Sequence, residues 1–249
     1  MSVRTIRRGH VLALVMSREE KRNALNPDIT KGIDEGLNQL EDDPELWCAI
    51  LSGGASVFSA GADLKVGPGP KSERGGLVGL IHRQRAKPLI AAVEGLALGG
   101  GLELVLCCDL VVASTTAAFG LPEPKRGLMA DFGGAFRTSR LLPANVAREL
   151  LLTGDNLSAE RAERLGFVNV LTEPGGALDG AFQLAERICA NAPLAIRETI
   201  GVVNAEINGD ESVSWARSEA AHARLARTED FHEGIAAFFE HRDPVWRSR

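Results

Sequence analysis

Two carboxylates occupy segments where carboxylates are unfavourable. Glu103 lies in the apolar run Leu102-Glu103-Leu104-Val105-Leu106-Cys107-Cys108, and Glu123 lies in the proline-braced turn Gly120-Leu121-Pro122-Glu123-Pro124. A carboxylate in such surroundings is paired, neutral or functional. Two in unequal settings can divide the roles of general acid and general base, with structural ion pairing as the plain alternative. Just ahead of Glu103 stands Gly99-Gly100-Gly101. Glycines after a strand allow a tight turn and a close approach of backbone to ligand. If a helix starts there, its free N–H groups can hold an oxyanion, whereas the bland reading is close packing. A dinucleotide-binding reading fails, because Leu104 stands where GxGxxG requires its third glycine. The small-residue segment FSAGADL, Phe58 to Leu64, can expose another backbone N–H, or be an ordinary loop.

Other reactive residue types form no constellation. His10, His82, His222, His232 and His241 are scattered singly, with no Ser–His–Asp arrangement and no metal-ligand spacing, and read as surface or core residues. Cys48, Cys107, Cys108 and Cys189 include no CxxC pair and read as small buried hydrophobes in a reducing, cytoplasmic setting.

These candidates need elements to hold them. Val11–Met16 reads as a buried strand. Asn26-Pro27-Asp28 then supplies a cap, a first-turn proline and an acid at the positive dipole end, and Ile29, Ile33, Leu37 and Leu40 predict a helix to about Glu41. Strands follow at Leu46–Leu51, Leu89–Val93, Leu110–Ala113 and Phe167–Leu171. Residues 66–76, rich in glycine, proline and charge, form a surface loop, and Leu77–Arg85 reads as a short helix. A buried helix should begin near Gly101, and another should run over Val146–Thr153 and stop at Gly154. Helical periodicity then dominates over Ala177–Ala190, Pro193–Ile207, Glu211–Arg227 and Glu229–His241. The expected layout is a core over residues 1–190 and a helical segment over 191–249 that packs on it or on another subunit.

The 249 residues carry 45% hydrophobic and 24% charged side chains, which suits a folded globular chain. A net charge of −5 offers no global attraction to nucleic acid. The apolar run Val11–Met16 is too short for a signal-peptide core. The apolar stretch from Pro88 to Ser114 is broken by Glu94, Glu103, Asp109 and the glycines, so a buried core is expected there and no membrane partner.

Taken in order, SREEKRNALN from Ser17, FSAGADL, KPLIAAVEGLALGGGLELVLCCDL from Lys87, FGLPEPKRGL from Phe119, ELLLTG near Leu150, AERLGFVNVL and FFEHRDPVW resemble the crotonase (enoyl-CoA hydratase/isomerase) superfamily. The resemblance spans nearly the whole chain. It implies an α/β fold, a spiral of ββα units with a C-terminal helical trimerisation region, assembled as a homotrimer or dimer of trimers. It implies an acyl-CoA thioester as the partner, no metal and no separate cofactor, since coenzyme A belongs to the substrate. By the same resemblance, the N–H groups of Ala62 and Gly100 form the oxyanion hole, and Glu103 and Glu123 match the family's paired glutamates. Glu103 would activate the water that attacks C3, and Glu123 would deliver a proton to C2. CoA would lie along Lys21, Arg22, Ala24, Ala60, Asp63, Leu64 and Lys65, and His241 and Arg242 could reach a neighbour's CoA.

The turn after Glu123 departs from the common hydratase pattern. It reads Gly127-Leu128-Met129-Ala130-Asp131-Phe132-Gly133-Gly134-Ala135-Phe136-Arg137, which makes Asp131 a candidate third acid. Met129, Phe132 and the loop over 66–80 are expected to shape the acyl pocket. Family dienoyl-CoA isomerases use three acids, and carnitinyl-CoA dehydratase-like members keep both glutamates with an aspartate in this turn. Both glutamates favour hydration, with isomerisation or a specialised dehydration as alternatives. A non-catalytic RNA-binding relative is disfavoured by the acidic charge and the absence of a lysine-rich strip.

Overall fold

The computed structural model describes residues 2–209 and 211–246. The chain opens with β1 (Val3–Arg8), β2 (Val11–Met16), α1 (Pro27–Asp42) and β3 (Cys48–Ser52), followed by β4 (Leu89–Val93), β5 (Leu96–Leu98), α2 (Gly100–Val105), β6 (Leu110–Ser114) and β7 (Ala118–Gly120). Next come α3 (Gly134–Leu141), α4 (Ala144–Thr153), β8 (Leu157–Ser158), α5 (Ala159–Arg164), β9 (Val170–Thr172) and α6 (Ala177–Cys189). Helices α7 (Pro193–Asn208), α8 (Ser212–Leu225) and α9 (Glu229–Glu240) complete it.

The main sheet has the order β1-β2-β3-β4-β6-β9, with β1 antiparallel to β2 and the other pairings parallel. Alternate residues of β2 feed opposite faces, as the pleat requires. Leu12, Leu14 and Met16 join a cluster with Ile29, Ile33, Leu37 and Leu40 of α1, while Val11, Ala13 and Val15 join Ala177, Ala181, Phe182 and Ala185 of α6. Coverage on both faces explains why these strands read as unbroken apolar runs. A smaller sheet, β5-β7-β8, leads off from the end of β4.

The predicted α1, β2, β4, β6, α4 and the C-terminal helices form within two residues of their expected bounds. One strand goes unread in the sequence, and two expectations need correction. Strand β1 escapes the apolar pattern because VRTIRR is a largely exposed edge strand. The helix expected over Leu77–Arg85 is only a short 3-10 turn, Leu77–Gly79, with Val78 at φ 52°. Its residues serve long-range contacts instead: Arg83 pairs with Asp34 of α1 and donates to Asn38 at 2.9 Å. The strand expected from Phe167 begins only at Val170, because Phe167 and Val168 both donate backbone N–H groups to the Ala162 carbonyl.

The segment after residue 190 returns to the core in its own chain. Helix α9 lies on the 3-10 turn Glu123–Arg126, so closely that a Cβ on Gly234 would stand 2.2 Å from the Arg126 carbonyl oxygen. Helix α7 instead leaves Leu194 and Val202 69% and 71% exposed.

Asn23 holds the site region together. Fully buried at φ 51°, it donates from Nδ2 to the carbonyls of Gly53, Val57 and Phe58 at 2.7, 2.9 and 3.2 Å, and its Oδ1 accepts from the Arg18 N–H at 2.8 Å. Removing the amide strands buried carbonyls and leaves a side chain less tolerant of positive φ. Asn23→Ala is expected to destabilise the fold by about 2–4 kcal/mol, read as a lowered urea midpoint.

Candidate active site

Strand pairing brings the two backbone donors together. Ser59 bridges Ala97 of β5 in parallel, with its N–H on the Leu96 carbonyl at 3.0 Å and its own carbonyl accepting from Leu98 at 2.9 Å. Three residues further along each segment stand Ala62 and Gly100. A Cβ built on Gly100 would lie 3.5 Å from the Ala62 nitrogen, and one on Gly61 would lie 3.3 Å from the Gly100 nitrogen. Leu25 fixes the outer side of the loop: its N–H binds the Gly61 carbonyl at 2.8 Å and its carbonyl accepts from Asp63 at 3.0 Å. Among the described residues neither the Ala62 nor the Gly100 N–H has an acceptor, and Gly100 opens α2. Two neighbouring free N–H groups in one cleft can polarise a carbonyl and hold the charge that develops on its oxygen.

The same cleft, of about 570 Å³, takes in both glutamates. Glu103 is 2% exposed, and its Oε1 accepts from the Gly134 N–H at 2.8 Å. Burial pushes its carboxyl well above the ordinary range, and the charge of Glu123 adds to the rise. Glu123 opens its 3-10 turn, and its buried Oε2 has no hydrogen-bond partner among the described residues. Burial, opposed by a bond from its own N–H and aided by Asp131, pushes Glu123 up to about 7. Both carboxyls therefore resist ionisation, and they titrate as an interacting pair. Gly99 makes room for this: at φ +52°, it faces Glu123 Oε1 where a Cβ would lie 2.9 Å away.

Asp131, Met129 and Phe132 line the cleft, as do Lys21, Ala24, Ala60, Asp63, Leu64 and Lys65. Arg22, expected on the CoA path, does not: it is exposed at φ 50° and ends the 3-10 turn Glu19–Lys21. Of the 66–80 loop only Val66 reaches the cleft, because Ser72 is tied to Asp34 of α1 at 2.6 Å. Arg242, expected near a neighbour's CoA, pairs with Glu233 and Glu240 of its own chain at 2.6 Å each. Asp63 is engaged too, by Arg18 at 2.8 Å, which holds its carboxyl below the usual range.

Sequence reasoning missed Arg18, Arg126, His222, Phe238 and Phe239, all of which line the cleft. His222, read as a bland singleton, places Nδ1 2.8 Å from Asp131 Oδ2. That contact raises no local signal, because the two residues come from distant parts of the chain. Nothing in the FFEHRDPVW tail points back to the same chain's cleft. Among the described residues, no group of three or more His, Cys, Asp or Glu is placed to hold a metal ion, and no helix is long and apolar enough to cross a membrane.

An α/β core with a C-terminal helical segment, and a cleft joining paired backbone donors to one buried and one half-buried carboxyl, define a class suited to acid–base chemistry beside an activated carbonyl. A sequence model of the enoyl-CoA hydratase/isomerase family matches residues 7–249, and the chain belongs to that family. Mevalonyl-coenzyme A hydratase of Aspergillus fumigatus is 39% identical over 247 residues, covering 96% of this chain and 92% of that protein. Carnitinyl-CoA dehydratase of Salmonella paratyphi A is 38% identical over 259 residues, covering 100% and 99%. The crystal structure of carnitinyl-CoA hydratase from Mycobacterium avium superposes with a TM-score of 0.94 at 40% identity, covering 100% of this chain and 99% of that one. The crotonase-like fold expected from the sequence is thereby shown.

The Glu123 carboxyl rises from its ordinary value near 4.5 to about 7, so the folded state disfavours its ionised form. Stability is lost as pH climbs from about 4.5 to about 7 and stays lost above that. Glu123→Gln removes this penalty. Its Tm is expected to exceed that of the wild type at pH 8, with the gap closing by pH 4.5, in calorimetry across that range.

Proposed function

We propose that the protein is an acyl-CoA hydratase, which reversibly adds water to a 2-enoyl-CoA to give a 3-hydroxyacyl-CoA. What carries the reading is the presence of a buried carboxyl, Glu103, and a half-buried one, Glu123, in the cleft of two N–H groups unpartnered among the described residues. The thioester oxygen would sit between the Ala62 and Gly100 N–H groups, which stabilise the enolate-like charge formed when C3 is attacked. Glu103 would orient water and take its proton as oxygen bonds to C3, and Glu123 would supply the proton to C2. One proton enters the substrate and one leaves water, so the balance calls for no redox group.

Both directions need one carboxyl protonated and the other ionised. For removal of water the roles reverse: Glu123 takes the C2 proton and Glu103 protonates the departing hydroxyl. On this reading the CoA arm lies along Lys21, Ala24 and Ala60–Lys65, where the ammonium groups of Lys21 and Lys65 would meet phosphates. The exposed apolar side chains of α7 support assembly into a homotrimer or dimer of trimers, checked by light scattering of the purified protein. The four cysteines, all free thiols, support a cytoplasmic setting.

Incubation with crotonyl-CoA should give a product heavier by one water in mass spectrometry. An altered absorbance without a mass change would replace hydration by isomerisation. Glu103→Gln and Glu123→Gln should each lower kcat by about a hundredfold or more. The kcat/KM of the wild type should fall as pH drops below about 7, because Glu123 is then protonated beside a Glu103 whose carboxyl is also raised, and the pair loses the ionised member that accepts a proton.

A further inference from the structure

One polar pair in the cleft has no part in this scheme. Asp131 and His222 meet at 2.8 Å, with side chains 33% and 41% exposed, where Leu128, Met129, Phe132 and Phe238 also line the wall. The pair is held from both sides. Phe231 of α9 meets the His222 ring edge-on, with centroids 6.1 Å apart. Asp131 lies on the loop that begins at the Glu123 turn and ends at Gly134, the donor to Glu103. A group on this loop is therefore set at a defined place relative to both carboxyls.

A plain alkyl chain entering here would strip water from a carboxylate and an imidazole and return no hydrogen bond. A hydroxyl or an ammonium would replace the lost water with a bond or charge contact. The sign of the local charge sharpens the choice. Glu103, Glu123 and Asp131 face the cleft against Arg126 and His222, and the Arg126 guanidinium is placed over the Phe238 ring, 4.9 Å from its centroid. The remaining cations lie on the Arg18–Lys65 side, where Arg18 is already committed to Asp63. A carboxylate tail would meet like charge.

We propose that the Asp131–His222 pair recognises the acyl tail, selecting thioesters whose acyl group carries a hydroxyl or an ammonium beyond the reacting carbons over plain alkyl chains and over carboxylates. This rests on the acyl-CoA reading above and adds the substrate class.

The test compares kcat/KM for crotonyl-CoA with three analogues bearing hydroxyl, trimethylammonium or carboxylate on C4. The wild type should prefer the hydroxyl or the ammonium analogue over crotonyl-CoA by roughly tenfold or more, the scale of one charge-assisted contact, and should handle the carboxylate worst. In Asp131→Ala and His222→Phe the ratio of the preferred analogue to crotonyl-CoA should shrink toward one. Calorimetric binding of butyryl-CoA and its 4-hydroxy and 4-trimethylammonio forms to the wild type gives the same ranking without turnover or a variant. Turnover with crotonyl-CoA or the carboxylate preferred, or variants that lower every substrate by one factor, would overturn the inference and leave the hydratase reading intact. Tail-ranked binding with no turnover of any thioester would remove the hydratase reading and keep the recognition.

Discussion

The parallel bridge between Ser59 and Ala97 is the constraint on which the site depends. It sets the register of the loop after Phe58 against β5, and that register makes Ala62 and Gly100 neighbours. The contact is tight because the residues are small. Gly61 at φ +95° comes so near the Leu98 carbonyl that a Cβ would lie 2.8 Å from it. Ser59 also ties the loop to the rest of the protein, donating from Oγ to the Asn23 carbonyl at 2.8 Å and accepting from the Gly61 N–H at 3.1 Å. Main-chain donors placed by strand register need little rearrangement as charge develops on an oxygen, which is what gives such donors their strength.

Around that fixed pair the protein holds carboxyls where water cannot fully solvate them. Their raised pKa values come from burial first, and then from the charge of Glu123 at Glu103 and of Asp131 at Glu123. The same desolvation destabilises the folded chain at neutral pH, so stability and reactivity pull against each other. The C-terminal helices contribute to this environment as well as to any assembly. Helix α9 backs the turn of Glu123, while His222, Phe238 and Phe239 close the side of the cleft that faces them.

Local pattern carried most of the architecture. The buried strand at Val11–Met16, the Asn26-capped α1 and the Gly154 stop after α4 are each written in a few adjacent residues, and each forms. The failures have separate causes. Strand β1 is polar because it is an edge with no neighbour on its outer side among the described residues, whereas the Leu77–Arg85 segment gives up its helix because Arg83 and Ser72 are drawn to Asp34, a partner distant in sequence that outweighs local propensity.

For the site, reading along the chain yields the residue types on offer: two glutamates in apolar settings, glycines that free backbone N–H groups, and the ordered motifs of one family. Which of them meet is set by the fold. It put Asp131 against His222, committed Asp63 to Arg18, turned Arg22 out of the cleft and folded α9 onto the Glu123 turn of the same chain. Periodicity and capping are short-range and can be read along the chain. Side-chain pairing between segments many tens of residues apart follows from packing, which no local pattern encodes.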